Sequence, residues 1–196
     1  MLAPGSVREF QGFLRRNGLL FACAESCTGG LLAREMTALA GSSQVFWGGV
    51  VSYSNEAKNR YLDVLPSLIA AEGAVSGAVA EAMVRGLISA SGVGVAVSIT
   101  GIAGPDGGSQ EKPVGTVWFG VAAARGGKGR LVAVRHRFEG SRGQIQRGAA
   151  RWSRILAQSW WDSWGELDSL RSLADNQFKP FVEASQTPLP FLPNPF

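Results

Sequence analysis

Apolar residues recur at helical spacing near the start of the chain. Val7, Phe10, Phe13 and Leu14 mark one face of a helix over roughly residues 6–17, closed by Gly18. The run Leu19–Ala24 is apolar and unbroken, which predicts a short buried strand. It leads through Glu25-Ser26-Cys27-Thr28-Gly29-Gly30 into Leu31-Leu32-Ala33-Arg34-Glu35-Met36, a good helix former. The order is strand, tight turn, helix N-terminus.

The same reading continues along the chain. Val45–Tyr53 predicts a second strand, and the polar turn Ser54-Asn55 introduces a short helix over Glu56–Leu62. Val79, Met83 and Leu87 share a face of a helix over Ser76–Ser89, with Ser76 as its N-cap. Val93–Thr100 is another buried strand, emptying into the glycine-rich loop Gly101–Gly108. Thr116–Ala124 and Arg130–Phe138 predict an antiparallel hairpin turning at Gly126–Gly129, and a long helix follows over Arg142–Trp164.

Strands alternating with helices, plus one hairpin, imply an α/β fold: a three-layer α/β/α sandwich with a mixed β-sheet. The pattern changes after Gly165. Leu167–Leu173 reads as a short helix, and five prolines from Pro180 to Pro195 exclude a packed helix at the end. The expected division is one domain over 1–165 and a Pro-rich extension over 166–196, lying on the surface, on a partner subunit, or without fixed structure.

Composition narrows the class. At 196 residues, with 45% hydrophobic and 17% charged, the chain suits one globular core. Apolar stretches stop short of a bilayer span, and the opening segment carries Arg8, Glu9, Arg15 and Arg16 without a signal-peptide core. Cys23 and Cys27 are the only cysteines and are expected as free thiols, which fits a reducing, cytoplasmic location. The net charge of +4 rests on scattered arginines; it suits an anionic small molecule as well as nucleic acid and does not decide between them.

The chemistry available is limited. His136 is the only histidine, which excludes a multi-histidine metal site and leaves one candidate for a Ser/His/Asp base. Strand alternation puts it on the same face as Val132, Val134 and Phe138, so the core is its expected place. A lysine can serve as a base where arginine cannot. Of four lysines, Lys58 alone lies just beyond a strand end. Taken by itself it reads more readily as a solvated lysine on a helix face beside Glu56. Ser26, at a strand–helix junction, has either a nucleophile's position among backbone amides or an ordinary capping role. The loop Gly101–Gly108 lacks the Walker pattern and the dinucleotide fingerprint, yet its amides suit a phosphate.

Five segments in order carry a resemblance. They are Ala24-Glu25-Ser26-Cys27-Thr28-Gly29-Gly30, Tyr53-Ser54-Asn55-Glu56-Ala57-Lys58, Gly73-Ala74-Val75-Ser76, Thr100–Gly108, and Lys112-Pro113-Val114-Gly115-Thr116-Val117. Together they closely resemble the CinA C-terminal domain, the nicotinamide-nucleotide amidohydrolase family, from near the N-terminus to about Trp160. The resemblance implies hydrolysis of the carboxamide of nicotinamide mononucleotide to nicotinate mononucleotide and ammonia in pyridine-nucleotide salvage, with no cofactor and no metal. It implies Ser26 as nucleophile, with Ser43 as the other candidate, Lys58 as base, and Tyr53 orienting or relaying the proton. Glu25, Thr28, Gly29, Gly30, Ser43, Thr100, Gly101, Gly104 and Arg142 are then the substrate-binding candidates, with Arg142 suited to the phosphate. Where the family commonly has Gly-Asp-Arg, this chain reads Gly140-Ser141-Arg142. The expected assembly is a homo-oligomer, a dimer favoured, with no nucleic-acid or membrane partner. The competing reading is a catalytically idle nucleotide-binding or competence-related module, which would keep the same motifs without turnover.

Overall fold

The computed structural model describes residues 4–164 and 186–189. The first helix, α1 (Val7–Arg16), starts at Ser6, whose hydroxyl accepts from the Glu9 amide, and buries Phe10, Phe13 and Leu14. Strand β1 (Phe21–Glu25) is buried along its whole length. It is followed by α2 (Leu31–Thr37), a 3₁₀ turn over Ser42–Gln44, and β2 (Phe46–Val51). Three helices come next, α3 (Asn55–Leu62), α4 (Pro66–Glu72) and α5 (Gly77–Ser91), before β3 (Val95–Gly101). The hairpin β4 (Thr116–Arg125) and β5 (Lys128–Arg137) leads to α6 (Arg142–Asp162), and β6 (Gln186–Leu189) comes last.

Among the described residues the sheet has the order β2-β1-β3-β4-β5-β6. β1 pairs in parallel with both β2 and β3, whereas β3, β4, β5 and β6 pair antiparallel in succession. The mixed sheet of the α/β prediction is therefore present. One face packs Phe21, Val97 and Phe119 against α1, α2 and α6, and the other packs Ala22, Ala96 and Ala122 against α3, α4 and α5. These are the three layers. The chain leaves β1 for β2 on one side and returns past it to β3 on the other. A crevice therefore opens at the carboxyl ends of β1 and β3, where open α/β sheets bind ligands.

Three elements depart from the pattern. Helix α4 was not anticipated; Pro66 in its first turn supplies a preset backbone angle and lacks only an amide that a helix start does not use. The 3₁₀ turn is too short to show a period. In the Pro-rich extension, Gln186–Leu189 joins the sheet as an edge strand on β5, a position that tolerates Pro188. The helix expected over Leu167–Leu173 lies outside the described residues.

His136 is on the predicted face. It is 2% exposed, with its ring 4.3 Å from that of Phe138 and 5.4 Å from that of Trp152. Burial pushes its pKa down to about 4, so it is a neutral core residue at physiological pH.

Helix α5 approaches α3 closely because position 86 has no side chain. A Cβ on Gly86 would stand 2.0 Å from the carbonyl oxygen of Leu62. Gly86→Ala should therefore destabilise the fold by about 2 kcal/mol despite alanine's better helix propensity, because overpacking outweighs it. Denaturant unfolding checks the sign, and a more stable variant would contradict this packing. His136 gives a second expectation. Its folded pKa lies below the unfolded value, so the stability it contributes is complete above pH about 6.5 and declines as pH falls toward about 4. Over that window the wild type should lose up to about 3 kcal/mol more than His136→Gln. Parallel pH-dependent unfolding curves for the two proteins would show no such effect.

Candidate active site

The site begins with a buried acid that touches no ligand. Glu25, the last residue of β1, is fully buried. Its carboxylate accepts from the amides of Gly30 at 3.1 Å, Leu32 at 3.1 Å and Ala33 at 2.8 Å. It thus caps the start of α2 from below and folds residues 26–30 into a tight turn. Gly29 and Gly30 take the left-handed angles this turn needs, with φ of 62° and 93°. The carboxylate of Glu25, expected to bind substrate, is engaged by these backbone amides. It also removes the first amides of α2 from any anion-binding role, since the carboxylate already occupies them. Among the described residues, the turn amides of Cys27 and Thr28 donate to no other residue.

Ser26 sits on top of this turn. Its amide donates to Ile99 of β3 at 2.9 Å, so it stands at the junction of the carboxyl ends of β1 and β3. Its side chain meets Lys58, whose Nζ lies 3.1 Å from Ser26 Oγ, 3.0 Å from the Ser52 carbonyl and 3.4 Å from the Tyr53 carbonyl. Lys58 is only 1% exposed. It is not the solvated lysine of a helix surface; α3 turns it inward, on the same side as buried Leu62. Burial lowers its pKa from the ordinary lysine value, while the neighbouring Cys27 acts weakly the other way. No carboxylate comes within salt-bridge distance of it among the described residues. Charged, the amine fills three donors with three oxygens. Neutral, it keeps two N–H groups for the two carbonyls and turns its lone pair to Ser26.

The remaining predicted residues divide. Tyr53 is 60% exposed, and its hydroxyl lies 3.1 Å from Arg142, which also donates to the Gly104 carbonyl at 2.8 Å. Thr100 is the last residue but one of β3, and its hydroxyl donates to the Ala74 carbonyl at 2.7 Å. The hydroxyl of Thr28 is buried and has no hydrogen-bond partner among the described residues. Gly101 packs its backbone against β4, where a Cβ would stand 2.7 Å from the Thr116 carbonyl. Ser43 precedes Phe46, which pairs with Phe21 at the start of β1, so within one chain it lies toward the opposite end of that strand from Ser26, about 16 Å along the sheet. His136 is three strands from β1, about 14 Å away.

Ser141 replaces the family acid without loss of the helix cap. Its amide and hydroxyl donate to Gln144 at 2.8 and 2.9 Å, and Arg142 is held by Gly104 and Tyr53. Two participants were not anticipated. Gln146 donates to the Cys27 carbonyl at 2.9 Å, and its spacing of four from Arg142 on one helix was the available signal. The Ser52 carbonyl is a backbone group, and nothing in a sequence marks it. Cys27 is buried, and its thiol is pushed up to about 12, chiefly by burial, so it is no thiolate nucleophile. Both cysteines are free. Among the described residues no group of three or more His, Cys, Asp or Glu could hold a metal, and no helix is long and apolar enough to cross a membrane.

The chain is similar to known proteins over most of its length. Residues 6–154 match the family model of the CinA C-terminal domain. The nicotinamide-nucleotide amidohydrolase PncC of Enterobacter agglomerans is 49% identical over 145 residues, covering 74% of this chain and 87% of that protein. A CinA-like protein of Geobacter sp. strain M21 is 53% identical over 133 residues, 68% of this chain but 31% of the longer relative. Among solved structures, a CinA superfamily protein of Klebsiella pneumoniae 700603 shares 32% identity at a TM-score of 0.75, covering 83% of this chain and 100% of that one. The competence/damage inducible protein CihA of Agrobacterium tumefaciens shares 36% at 0.71, covering 85% and 99%. With the fold, the ordered motifs and the family model in agreement over most of its length, this chain belongs to the CinA C-terminal domain family.

Proposed function

We propose that the protein is an amidohydrolase that deamidates nicotinamide mononucleotide to nicotinate mononucleotide by a serine–lysine mechanism. The observation that carries the mechanism is the 3.1 Å contact between Ser26 Oγ and a buried Lys58 amine that has no acidic partner among the described residues. The similarity to PncC supports the substrate. An idle binding module gains nothing from a lysine desolvated against a serine, and burying it lowers stability.

In this reading the neutral Lys58 amine takes the proton from Ser26 as Oγ attacks the carboxamide carbon. The oxyanion that forms accepts from the amides of Cys27 and Thr28, the two of the turn that Glu25 leaves free. Collapse breaks the C–N bond while the Lys58 ammonium returns its proton to the departing nitrogen, which leaves as ammonia. A water then loses a proton to Lys58 and attacks the serine ester. Cleavage of the C–O bond, with that proton passed to Ser26 Oγ, releases the carboxylic acid. Every proton is accounted for between Ser26, Lys58 and water. Arg142 meets the substrate phosphate, since its planar guanidinium matches phosphate oxygens. The glycine loop through Gly101 and Gly104, with Gly29, Gly30, Thr28 and Thr100, walls the rest of the substrate site. We assign the working enzyme to the cytoplasm as a homo-oligomer, a dimer favoured, with the domain over 1–165 acting without a cofactor.

Ammonia release from nicotinamide mononucleotide, measured with chelator present, tests the activity directly; absence of turnover would reject it. Ser26→Ala should fold and lose about three orders of magnitude in kcat or more. Lys58→Arg keeps the charge but has no neutral form, so it should be comparably inactive, whereas an active Lys58→Arg enzyme would rule out the lysine base. Because burial lowers the Lys58 pKa, the rate should rise with pH through a limb lying below the ordinary lysine range. That limb belongs to the coupled serine–lysine pair.

A further inference from the structure

Arg142 is engaged by groups of the protein itself. It is the first residue of α6, and its guanidinium spans the mouth of the site from the Gly104 carbonyl at 2.8 Å to the Tyr53 hydroxyl at 3.1 Å. Tyr53 in turn places its own carbonyl 3.4 Å from Lys58 Nζ, the longest of the three bonds to that amine. One exposed tyrosine therefore joins the anion-binding side chain to the base.

Both acceptors that hold Arg142 are neutral. A phosphate dianion forms charge-assisted, bidentate bonds with a guanidinium that a phenol cannot match. The shorter bond to the Gly104 carbonyl keeps the side chain over the site, and the longer one to Tyr53 is the one to be exchanged. We propose that Arg142 and Tyr53 form a latch. The phosphate of the substrate displaces the Tyr53 hydroxyl from Arg142, and the released tyrosine turns inward over the carboxamide and completes the surroundings of Lys58. Phosphate is then an activator of the chemical step as well as an anchor. Tyr53 is a positioning residue in this scheme, acting through the Lys58 clamp and the closure of the site. The proposal rests on the deamidase reading for its substrate, and on the Arg142 geometry for its device.

The latch separates from simple anchoring when the phosphate is supplied apart from the substrate. Nicotinamide riboside carries the carboxamide without the phosphate, and phosphite dianion supplies the missing charge. With the latch, phosphite should accelerate riboside deamidation by about tenfold or more at saturation, because binding energy at a remote group is used at the reacting centre. Arg142→Ala should lose both phosphite binding and activation. Tyr53→Phe should still bind phosphite through Arg142 but show no activation. Phosphite that competes with the mononucleotide yet leaves riboside turnover unchanged would overturn the latch and leave the deamidase reading intact. Should the mononucleotide itself not be turned over, that reading fails, and the latch is judged by a signal independent of activity. The chain has two tyrosines, Tyr53 and Tyr61, so ¹³Cζ-tyrosine labelling gives two resonances, assigned with Tyr53→Phe. Inorganic phosphate should shift that of Tyr53 in the wild type and not in Arg142→Ala; an unmoved Tyr53 resonance would overturn the latch.

Discussion

The arrangement depends on one buried amine. Placing a lysine headgroup at 1% exposure without a carboxylate beside it is costly, and the fold makes it tolerable with oxygen atoms from three places. Two are carbonyls just past the end of β2, and the third is the hydroxyl past the end of β1. Such a set stabilises a proton on the amine only modestly, so desolvation governs and the pKa falls. Glu25, one residue before Ser26, would undo this if its charge were free to face the amine. Three amides at the start of α2 hold that carboxylate instead.

The sheet explains why these parts meet. Parallel strands β2, β1 and β3 all end on the same side, and the reversal of strand order at β1 leaves room above it. Helix α3 delivers Lys58 to that room because α5 lets it sit close, with Gly86 against the Leu62 carbonyl. On the opposite layer α6 reaches the same place. Arg142 grips the glycine loop and Tyr53, and Gln146 grips the Ser26 turn, so both layers are tied across the crevice by side chains of a single helix.

Much of this was legible in the residues and some was not. The run Val93–Thr100 read correctly because both of its faces are buried, and the helix behind Ser76 because its burial follows the helical period. The strand–turn–helix around Ser26 was equally plain, and His136 followed from alternation. Lys58 was ambiguous for a physical reason: whether a lysine on a short helix faces in or out is decided by how close a neighbouring helix comes. The amide bonds of Glu25 were not foreseen, because an acid near a nucleophile looks the same whether it meets a ligand or caps a helix. The separation of Ser43 from Ser26 was not legible, because resemblance gives order along the chain, whereas parallel pairing puts the start of β2 at the far end of β1 from Ser26. The contact between Tyr53 and Arg142 joins residues 89 apart in sequence, and no local pattern encodes it.

The oxygens that hold Lys58 from the β2 side belong to the main chain. Every amino acid carries the same carbonyl, so the clamp has no letter of its own in the genetic text. Among the described residues the buried hydroxyl of Ser52 has no hydrogen-bond partner, and the contribution of that residue to the amine comes from its backbone. Position 52 is thereby free to drift among small residues over evolutionary time while the basicity of the lysine stays put. The constraint falls on the path of the chain between β2 and α3. A comparison of descendants would find it as a fixed spacing between strand end and lysine, with no invariant side chain at position 52 to mark it.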